Sequence, residues 1–503
     1  MKNITTAEQF CHDILQSTIK RAKPLVGIIM ALGSETTARN PTQLSLSPFF
    51  QYNYSIIGKV MREFGEQLSE TDNEELKTEL RQKFFDKLPE QSIYNLSSDF
   101  TTIRKPESPT LAERGFVNVP NVRIYGNKSI DIGYYISCVN LHLYGKSHPV
   151  SWSIPLDNLR VDVDADKNSL AAQQLAAIIR DKKLPFSQSD KIVNTSDSGY
   201  TVPMFIAPLI EEFDNLLLIS RMRYGMKVYR PYTGEQKDAG RDKVYEDEPY
   251  YLQTESERMF THRVTKERYT KAQRPIFDLP YDDVVEYETT TAKGREIIVC
   301  IYRWNDVLLR SKNGHKMDDK PCDLVCIRFV DKQTAQLLFK REMFIGIWGE
   351  NRRTHSTQQA QVDYRHRYDI EPHNRFSKQQ LLADKYQTSD VKSLDAWLYA
   401  VMFTFWLLYF SSTDTQVCVN PWEKYLPEVK RAEQSDERLT VSMTKKGAKR
   451  LFSTFDLRPF APQESKNGQG RKKDTTLPKK TRHPPKRKIK NEQNYKQNIE
   501  QIE

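Results

Sequence analysis

The sequence predicts a mixed α/β fold in which a mixed sheet is flanked by helices. Three observations support this prediction. Residues 1–90 carry apolar residues at helical spacing, residues 91–224 alternate strand-like and helix-like segments, and residues 225–350 alternate apolar and polar residues as strands do. With 503 residues, the chain is long enough to form two or three domains with substantial cores.

The N-terminal region, residues 1–90, is predicted to be helical. Its helical segments read TAEQFCHDILQSTIKRAKPL, YSIIGKVMREFGEQL and NEELKTELRQKFFDKL. A helical module ahead of a catalytic domain is a candidate for binding DNA ends. The segments contain no clear helix-turn-helix pattern, so packing against the rest of the chain is an equal explanation.

Residues 91–224 are predicted to combine strands with helices. The segments SIYNLSSDF, KSIDIGYYISCVNLHLYG, HPVSWSIPL, SDKIVNTSDSGY and NLLLIS resemble strands, and two helical segments separate the last three. Such an order predicts a mixed sheet with helices on its faces. Ligands of these sheets gather at the carboxyl ends of strands.

The remaining chain divides into a β-rich insertion (225–350), a part in which helices return (351–420), a C-terminal region (421–462) and a tail (463–503). The longest apolar run, AWLYAVMFTFWLLYF, has 15 residues and is shorter than the roughly 20 residues that a membrane-spanning helix needs. We therefore expect a buried helix there and no membrane association.

The charge pattern of the tail points to nucleic acid. The chain has a net charge of +10, and the segment from Glu464 to Lys490 contains eleven Lys or Arg residues against two acids. A segment so rich in cations, Gly and Pro is expected to be disordered, and it can neutralise phosphates without selecting a sequence. A purely solubilising tail is the alternative.

Cysteine usage and the N-terminus predict a cytoplasmic protein. The six cysteines are scattered and form no CxxC pair, which argues against a disulfide framework or a zinc site. The first residues, MKNITTAEQFCHDILQ, do not resemble a signal peptide. A cytoplasmic, nucleoid-associated location is the resulting expectation.

Four residues in YRHRYDIEPHNRFSK share one helical stripe: Tyr364, Arg367, Glu371 and Lys378. Because this stripe is polar, it either faces solvent or lines a site where a carboxylate lies among cations. Pro372 lacks an N–H group, so either the helix is kinked there or a new segment begins with Glu371 near its N-cap.

Two acids stand where strands are predicted to end. Asp99 closes the first strand, and Asp197 follows KIVNTS at a turn that contains Gly199. With a third carboxylate from a later helix they would form an oxygen-rich site for Mg²⁺ or Mn²⁺. Such a site can hold two ions that act on a phosphodiester. Taken singly, each acid is more commonly a turn or cap residue.

The spacing YxxRxxxExxxxxxK resembles the YREK signature of DDE transposases of the bacterial insertion-sequence class. The sequence DSGY, which begins at Asp197, is similar to the second-aspartate motif of that class. The resemblance covers about residues 90–415. It implies a ribonuclease-H-like catalytic domain with a β-strand insertion, of which residues 91–224 would be the first part and residues 351–420 the second. It also implies three metal-binding acids, which here would be Asp99, Asp197 and Glu371.

The resemblance also implies DNA contacts. Tyr364, Arg367 and Lys378 would contact phosphates of the transposon end, where arginine offers a planar fork and lysine a point charge. Some relatives hold a flipped base on a tryptophan of the insertion, and Trp304 lies in the corresponding region. Trp348 lies near the end of the insertion, and either tryptophan could instead be a core residue.

The main competitor of Asp99 as first metal ligand is Asp131, in SIDIGYY. Asp131 lies in the middle of an alternating run, where an acid usually faces solvent, so Asp99 is preferred.

The expected function is transposition. The enzyme would bind the inverted repeats of its own element in double-stranded DNA, cut there with two Mg²⁺ or Mn²⁺ ions, and join the ends to target DNA as a homodimer. A catalytically inactive DNA-binding descendant of the same family is the first alternative. A metal-independent glycoside hydrolase with an Asp and a Glu as its acid pair is a remote one.

Overall fold

The structure is a computed structural model, and it describes most of the chain. The described residues are 4–69, 74–119, 129–144, 151–236, 238–240, 242–262, 265–291, 293–312, 314–427, 429–430, 433, 438–457, 476 and 479–487.

Strands of the described residues group into one large sheet and two small ribbons. They are β1 (Ile93–Arg104), β2 (Gly115–Asn118), β3 (Ile130–Tyr144), β4 (Ser151–Val161), β5 (Lys191–Ser196), β6 (Leu216–Met222), β7 (Lys227–Val228), β8 (Tyr250–Tyr251), β9 (Glu257–Thr261), β10 (Arg268–Ala272), β11 (Asp283–Thr290), β12 (Glu296–Val307), β13 (Cys322–Asp331) and β14 (Met343–Trp348).

Helices surround this sheet. They are α1 (Thr6–Gln16), α2 (Ala22–Ser34), α3 (Pro41–Leu44), α4 (Tyr54–Ser69), α5 (Glu74–Phe85), α6 (Lys167–Arg180), α7 (Pro203–Glu212), α8 (Thr357–His366), α9 (Ile370–Gln379), α10 (Val391–Ser411) and α11 (Val441–Phe452). Short 3-10 helices are Pro185–Gln188, Ile276–Asp278, Glu350–Thr354, Arg367–Asp369, Asp414–Cys418 and Pro421–Tyr425.

The large sheet has ten strands in the order β11-β12-β13-β14-β6-β5-β1-β3-β2, and β4 pairs with β3 beside β2. Strand β1 is antiparallel to β3 but parallel to β5, and β5 is parallel to β6. Strands β5 and β6 are almost entirely buried, as is usual for parallel strands covered on both faces. The predicted mixed α/β fold with a helix-flanked sheet is therefore confirmed.

The β-rich stretch continues the large sheet. Strand β14 pairs antiparallel with β6, and β13, β12 and β11 follow in turn. The sequence pattern predicted the strands but not this continuity. A local hydrophobic alternation shows which residues face a core, but it does not show which other strand supplies the pairing partner.

The apolar helix α10 lies in the main core. Both of its tryptophans are fully buried, and each indole donates to a backbone carbonyl: Trp397 to Leu382 at 3.0 Å and Trp406 to Pro155 at 2.8 Å. Among the described residues, α10 is the one helix whose length and composition would allow it to cross a membrane, and nearly all of it is buried inside the protein. Its burial agrees with the expected core helix.

Part of the predicted disordered tail is ordered. Residues 479–487 lie against the segment between β1 and β2, where the backbone N–H of His483 donates to Pro109 at 2.8 Å. The expectation of disorder is wrong for these nine residues, because backbone hydrogen bonds fix them despite their charge. Apart from residue 476, the rest of the tail, 463–503, lies outside the described residues.

Candidate active site

Strand register brings the first two predicted acids together. The parallel ladder between β1 and β5 ends with Ser98 opposite Ser196. Asp99 and Asp197 each follow directly, so they lie side by side at the same level. Strand β5 ends at Ser196, but β1 continues to Arg104 in its pairing with β3, so the prediction that Asp99 closes the first strand is wrong. Because neighbouring strands lie about 4.8 Å apart, the two carboxylates are near neighbours at the carboxyl end of β5.

A tight turn holds Asp197 in place. The backbone N–H of Gly199 donates to Oδ1 of Asp197 at 2.7 Å, and the N–H of Tyr200 donates to the Asp197 carbonyl at 3.2 Å. A Cβ atom at position 199 would lie 2.9 Å from Asp197 Oδ1, closer than real Cβ contacts allow. An alanine at position 199 would therefore displace the Asp197 carboxylate from its present position.

Tyr200, the tyrosine of the same motif, lies close to both Asp99 and Asp197. The Tyr200 ring is fully buried and stacks on Phe100, with ring centroids 5.0 Å apart and planes 8° from parallel. Burial and the carboxylates of Asp99 and Asp197 raise the pKa of Tyr200, so its hydroxyl stays protonated. That buried hydroxyl has no hydrogen-bond partner among the described residues, which leaves a donor available to a bound group.

The surroundings of Asp99 disfavour the charged form of its carboxyl group. Burial raises its pKa to about 6, the nearby Arg367 opposes that rise, and the negative charges of Asp197 and Glu371 add to it. Asn374 donates from Nδ2 to Oδ2 of Asp99 at 3.4 Å. The three predicted acids therefore influence one site, and a cation there would relieve their mutual repulsion.

The polar stripe is carried by two helices and not by one. Helix α8 ends at His366, a 3-10 turn covers Arg367–Asp369, and α9 begins at Ile370. Pro372 therefore lies in the first turn of α9, where its missing N–H has no intrahelical partner to lose. Of the two alternatives that the sequence left open, a new segment beginning near Glu371 is the one found.

Arg367 is the central cation of the site. It is 7% exposed, and its Nη2 donates to Oε1 of Glu371 at 3.2 Å. Burial alone would lower the pKa of Arg367, but Tyr364, Asp99, Tyr368 and Asp197 raise it, so the guanidinium remains charged. Its buried Nε has no partner among the described residues. Arg367 thus orients Glu371 and retains an unused donor.

Lys378 occupies the far end of the stripe. It is half-buried, and burial lowers its pKa while Cys138, Asp384 and Asp99 oppose that change. The lysine is therefore close enough to Asp99 for their charges to interact, and its predicted contact with DNA phosphates stays a prediction.

The structure corrects two predicted DNA contacts. Tyr364 is fully buried in an apolar cluster with residues such as Val193 and Leu217, so its side chain has no surface to offer a phosphate. Trp304 is also fully buried: its Nε1 donates to Leu279 at 2.9 Å and its ring packs against Phe277. It cannot stack on a flipped base. Trp348, the alternative, is fully buried too.

Asp131 lies far from this site. It begins β3 and forms an ion pair with Arg104 at the end of β1. Cys138, the partner of Asp99 in β3, is seven residues further along that strand, or roughly 20 Å at the rise of a β-strand. The geometry therefore favours Asp99 over Asp131.

Asn374 is a site residue that the sequence analysis did not predict. It lies three residues after Glu371 and four before Lys378, which is the spacing of one helical face. Extending the polar stripe to amide side chains would have found it.

The donor set suits a hard cation, although the acids do not converge closely. Carboxylate oxygens are the ligands that Mg²⁺ and Mn²⁺ prefer. Among the described residues, no group of three His, Cys, Asp or Glu side chains is arranged so that it could hold a metal ion. The side chain of Glu371 is 53% exposed and is paired with Arg367. Glu371 is therefore the acid that would have to move for the three carboxylates to bind one metal centre.

Comparisons with known proteins show distant structural similarity and no match in sequence. No family model matches the chain, and no curated protein matches it significantly. Among solved structures, the chain is similar to the cryo-EM structure of a piggyBac transposase synaptic complex with hairpin DNA. The identity is 10% and the TM-score 0.36, over 93% of this chain and 78% of that one. At those values the similarity indicates neither an active site nor a function for this chain.

Proposed function

We propose that the chain is a transposase that cuts DNA at the ends of its own element and joins those ends to target DNA. The observation that carries this proposal is the register of β1 and β5, which sets Asp99 beside Asp197 next to the Arg367–Glu371 pair. Two carboxylates, an exposed third and a buried arginine suit a phosphodiester, because the acids favour hard cations and the guanidinium binds phosphate oxygens.

Each residue has a distinct role in the proposed reaction. Asp99, Asp197 and Glu371 would hold two Mg²⁺ or Mn²⁺ ions, which activate the attacking oxygen and stabilise the leaving one. Arg367 orients Glu371, and Asn374 orients Asp99. The partly exposed ammonium group of Lys378 binds phosphate oxygens of the DNA, and the guanidinium of Arg367 adds positive charge behind the acids.

Two in-line displacements follow at the same site. Water attacks phosphorus opposite the 3′ oxygen and loses a proton to solvent, while the P–O3′ bond breaks and the departing oxygen takes up a proton from solvent to become a 3′ hydroxyl. That hydroxyl then loses its proton to solvent and attacks phosphorus in a phosphodiester of the target DNA, where a new P–O bond forms as the P–O3′ bond of the target strand breaks and its 3′ oxygen takes up a proton. No covalent bond to the protein forms in either step. Because two ends must be joined, we propose a dimer that acts on chromosomal DNA in the cytoplasm.

Cleavage of a labelled DNA fragment carrying the end of the element tests this proposal. We expect cutting with Mg²⁺, none with EDTA, and a loss of at least 100-fold for Asp99→Asn, Asp197→Asn and Glu371→Gln while DNA binding persists. Asp131→Asn is the matched control, since it neutralises the competing acid, and it should cut normally. Binding without cutting by the wild type would instead favour the inactive DNA-binding descendant.

A glycoside hydrolase is less well supported. Such an enzyme needs two carboxyl groups on either side of a sugar bond, one of them free to act as an acid. Here a buried arginine is paired with Glu371 and lies near both aspartates. Activity on a sugar in the presence of EDTA would favour that alternative.

A further inference from the structure

The ordered part of the basic tail is fixed by its main chain. Residues 479–487, here called the basic strap, contact the segment that joins β1 to β2. The N–H of His483 donates to Pro109 at 2.8 Å, and the N–H of Lys486 donates to Arg114 at 2.7 Å. Lys486 also forms a parallel bridge with Gly115, the first residue of β2. The strap is thus aligned along the outer edge of β2.

A buried arginine secures the strap. Arg114 is 3% exposed, and its guanidinium donates to the carbonyls of Leu111 at 3.0 Å, Lys105 at 3.0 Å and His483 at 2.8 Å. Between the two docked residues of the strap lie Pro484 and Pro485, whose rings restrict the backbone to an extended form. The docking therefore uses the backbone of the strap.

The cationic side chains of the strap remain exposed. They are Lys479, Lys480, Arg482, Lys486 and Arg487. Lys480 donates to Ser389 at 2.7 Å, and Lys486 lies 3.8 Å from Asp162. Within the part of the chain that the structure describes, Arg482 and Arg487 form no ion pair. A dense row of cations on a fixed backbone is suited to a polyanion.

The strap lies on the same sheet as the candidate active site. Gly115 pairs with Gly133 on β3, and Gly133 pairs with Arg104, five residues after Asp99 on β1. Five residues of strand and three interstrand spacings separate the strap from Asp99 by roughly 20 Å. At 3.4 Å per base pair, this is about six base pairs of duplex.

We infer that the basic strap binds the phosphate backbone of duplex DNA about six base pairs from the bond that is cut. The identity of this ligand rests on the proposed function. Because the strap is already ordered, its arginines lose less conformational freedom on binding than those of a free tail would. It therefore supplies sequence-independent affinity and a fixed direction for the duplex.

The experiment compares full-length variants on two sets of duplexes. Long duplexes extend 12 base pairs beyond the cleavage site on one side or the other, and short duplexes stop 3 base pairs beyond it on both sides. Arg482→Gln/Arg487→Gln removes two charges that play no part in docking. Lys182→Gln/Lys183→Gln, in the exposed turn after α6, removes the same charge elsewhere and serves as the control.

We expect Arg482→Gln/Arg487→Gln to bind one of the long duplexes at least tenfold more weakly than the wild type does. For that duplex, the slope of log affinity against log salt concentration should decrease in magnitude by about 2, or about 1 per cation. The short duplexes should bind equally to all three proteins. Pro484→Gly/Pro485→Gly keeps every charge but loosens the backbone, and it should also weaken binding to that long duplex.

Three outcomes would overturn the inference. Equal binding by Arg482→Gln/Arg487→Gln and the control would remove the strap as a DNA contact. A loss for the arginine variant without any effect of the proline variant would show a flexible tail in place of a docked strap. If the wild-type protein binds no duplex, both the proposed function and the inference about the strap fail. If the wild type binds and the variants bind equally well, only the inference about the strap fails.

Discussion

Arg367 and Glu371 form a 3.2 Å ion pair between the 3-10 turn that follows α8 and the first turn of α9. Arg367 is buried and also lies near Asp99 and Asp197, whose charges raise its pKa. One guanidinium therefore balances three carboxylates in this structure. Its removal would leave those carboxylates without their main cation.

Arg367→Lys should abolish cleavage while the protein stays folded. Lysine keeps the positive charge but lacks the planar fork, so it cannot orient Glu371 and bind a phosphate oxygen together. We expect at least a 100-fold loss in cleavage rate and a change of less than tenfold in DNA affinity, measured on the same labelled fragment. Arg365→Lys, an exposed neighbour on α8, is the control and should retain activity. Full cleavage by Arg367→Lys would contradict this role.

Gly199→Ala should reduce activity through the geometry of Asp197. The added Cβ would meet Asp197 Oδ1 at 2.9 Å, so the carboxylate or the turn must shift. We expect at least a tenfold loss of cleavage, with the free energy of unfolding lowered by roughly 1 kcal/mol or less. Gly58→Ala is the control: nothing lies within 4 Å of its Cβ position, and alanine in a helix should stabilise by about 1 kcal/mol. Equal activity of both variants would show that the turn does not position Asp197.

The sequence predicted the strands of the candidate site better than their arrangement. KIVNTS and NLLLIS are short apolar runs bounded by turn residues, so β5 and β6 could be recognised locally. Pairing of β1 with β5 joins segments almost one hundred residues apart, and no local pattern contains that register. The four-residue strand β2 was missed because a run this short has no measurable alternation.

Burial was the property that the sequence predicted least well. Tyr364 and Trp304 belong to residue types that occur both in cores and at binding surfaces, so spacing alone could not separate the two. Their surroundings come from distant strands: Tyr364 packs against β5 and β6, and Trp304 donates to the carbonyl of Leu279. The helix break at Arg367–Asp369 was only half visible, through Pro372.

Trp304→Phe should affect stability and leave DNA binding unchanged. The substitution removes the indole N–H that bonds to Leu279 and leaves a small void beside Phe277. We expect the free energy of unfolding to fall by about 1–3 kcal/mol, measured by denaturant unfolding. Affinity for duplex DNA with an unpaired base should match that of the wild type. Selective loss of binding to that DNA, with unchanged stability, would restore the tryptophan as a DNA contact.

Acid should destabilise the protein through a buried histidine beside β1. His142 is 2% exposed, its Nε2 lies 2.8 Å from Ser97 Oγ, and burial lowers its pKa to about 4. In the unfolded chain histidine has a pKa of about 6.5, so the unfolded state binds a proton first as the pH falls. The stabilisation is therefore complete above pH 6.5 and is lost progressively between pH 6.5 and 4.

Comparing the wild type with His142→Asn isolates this contribution. We expect the variant to be less stable at pH 7, because it disturbs a packed site, but to lose less of its remaining stability between pH 6.5 and 4.5. His373, whose burial lowers its pKa to about 3, remains in both proteins and adds the same slope to each. Denaturant unfolding at several pH values provides the measurement. Parallel pH profiles for the two proteins would mean that His142 takes up its proton equally in the folded and unfolded chains.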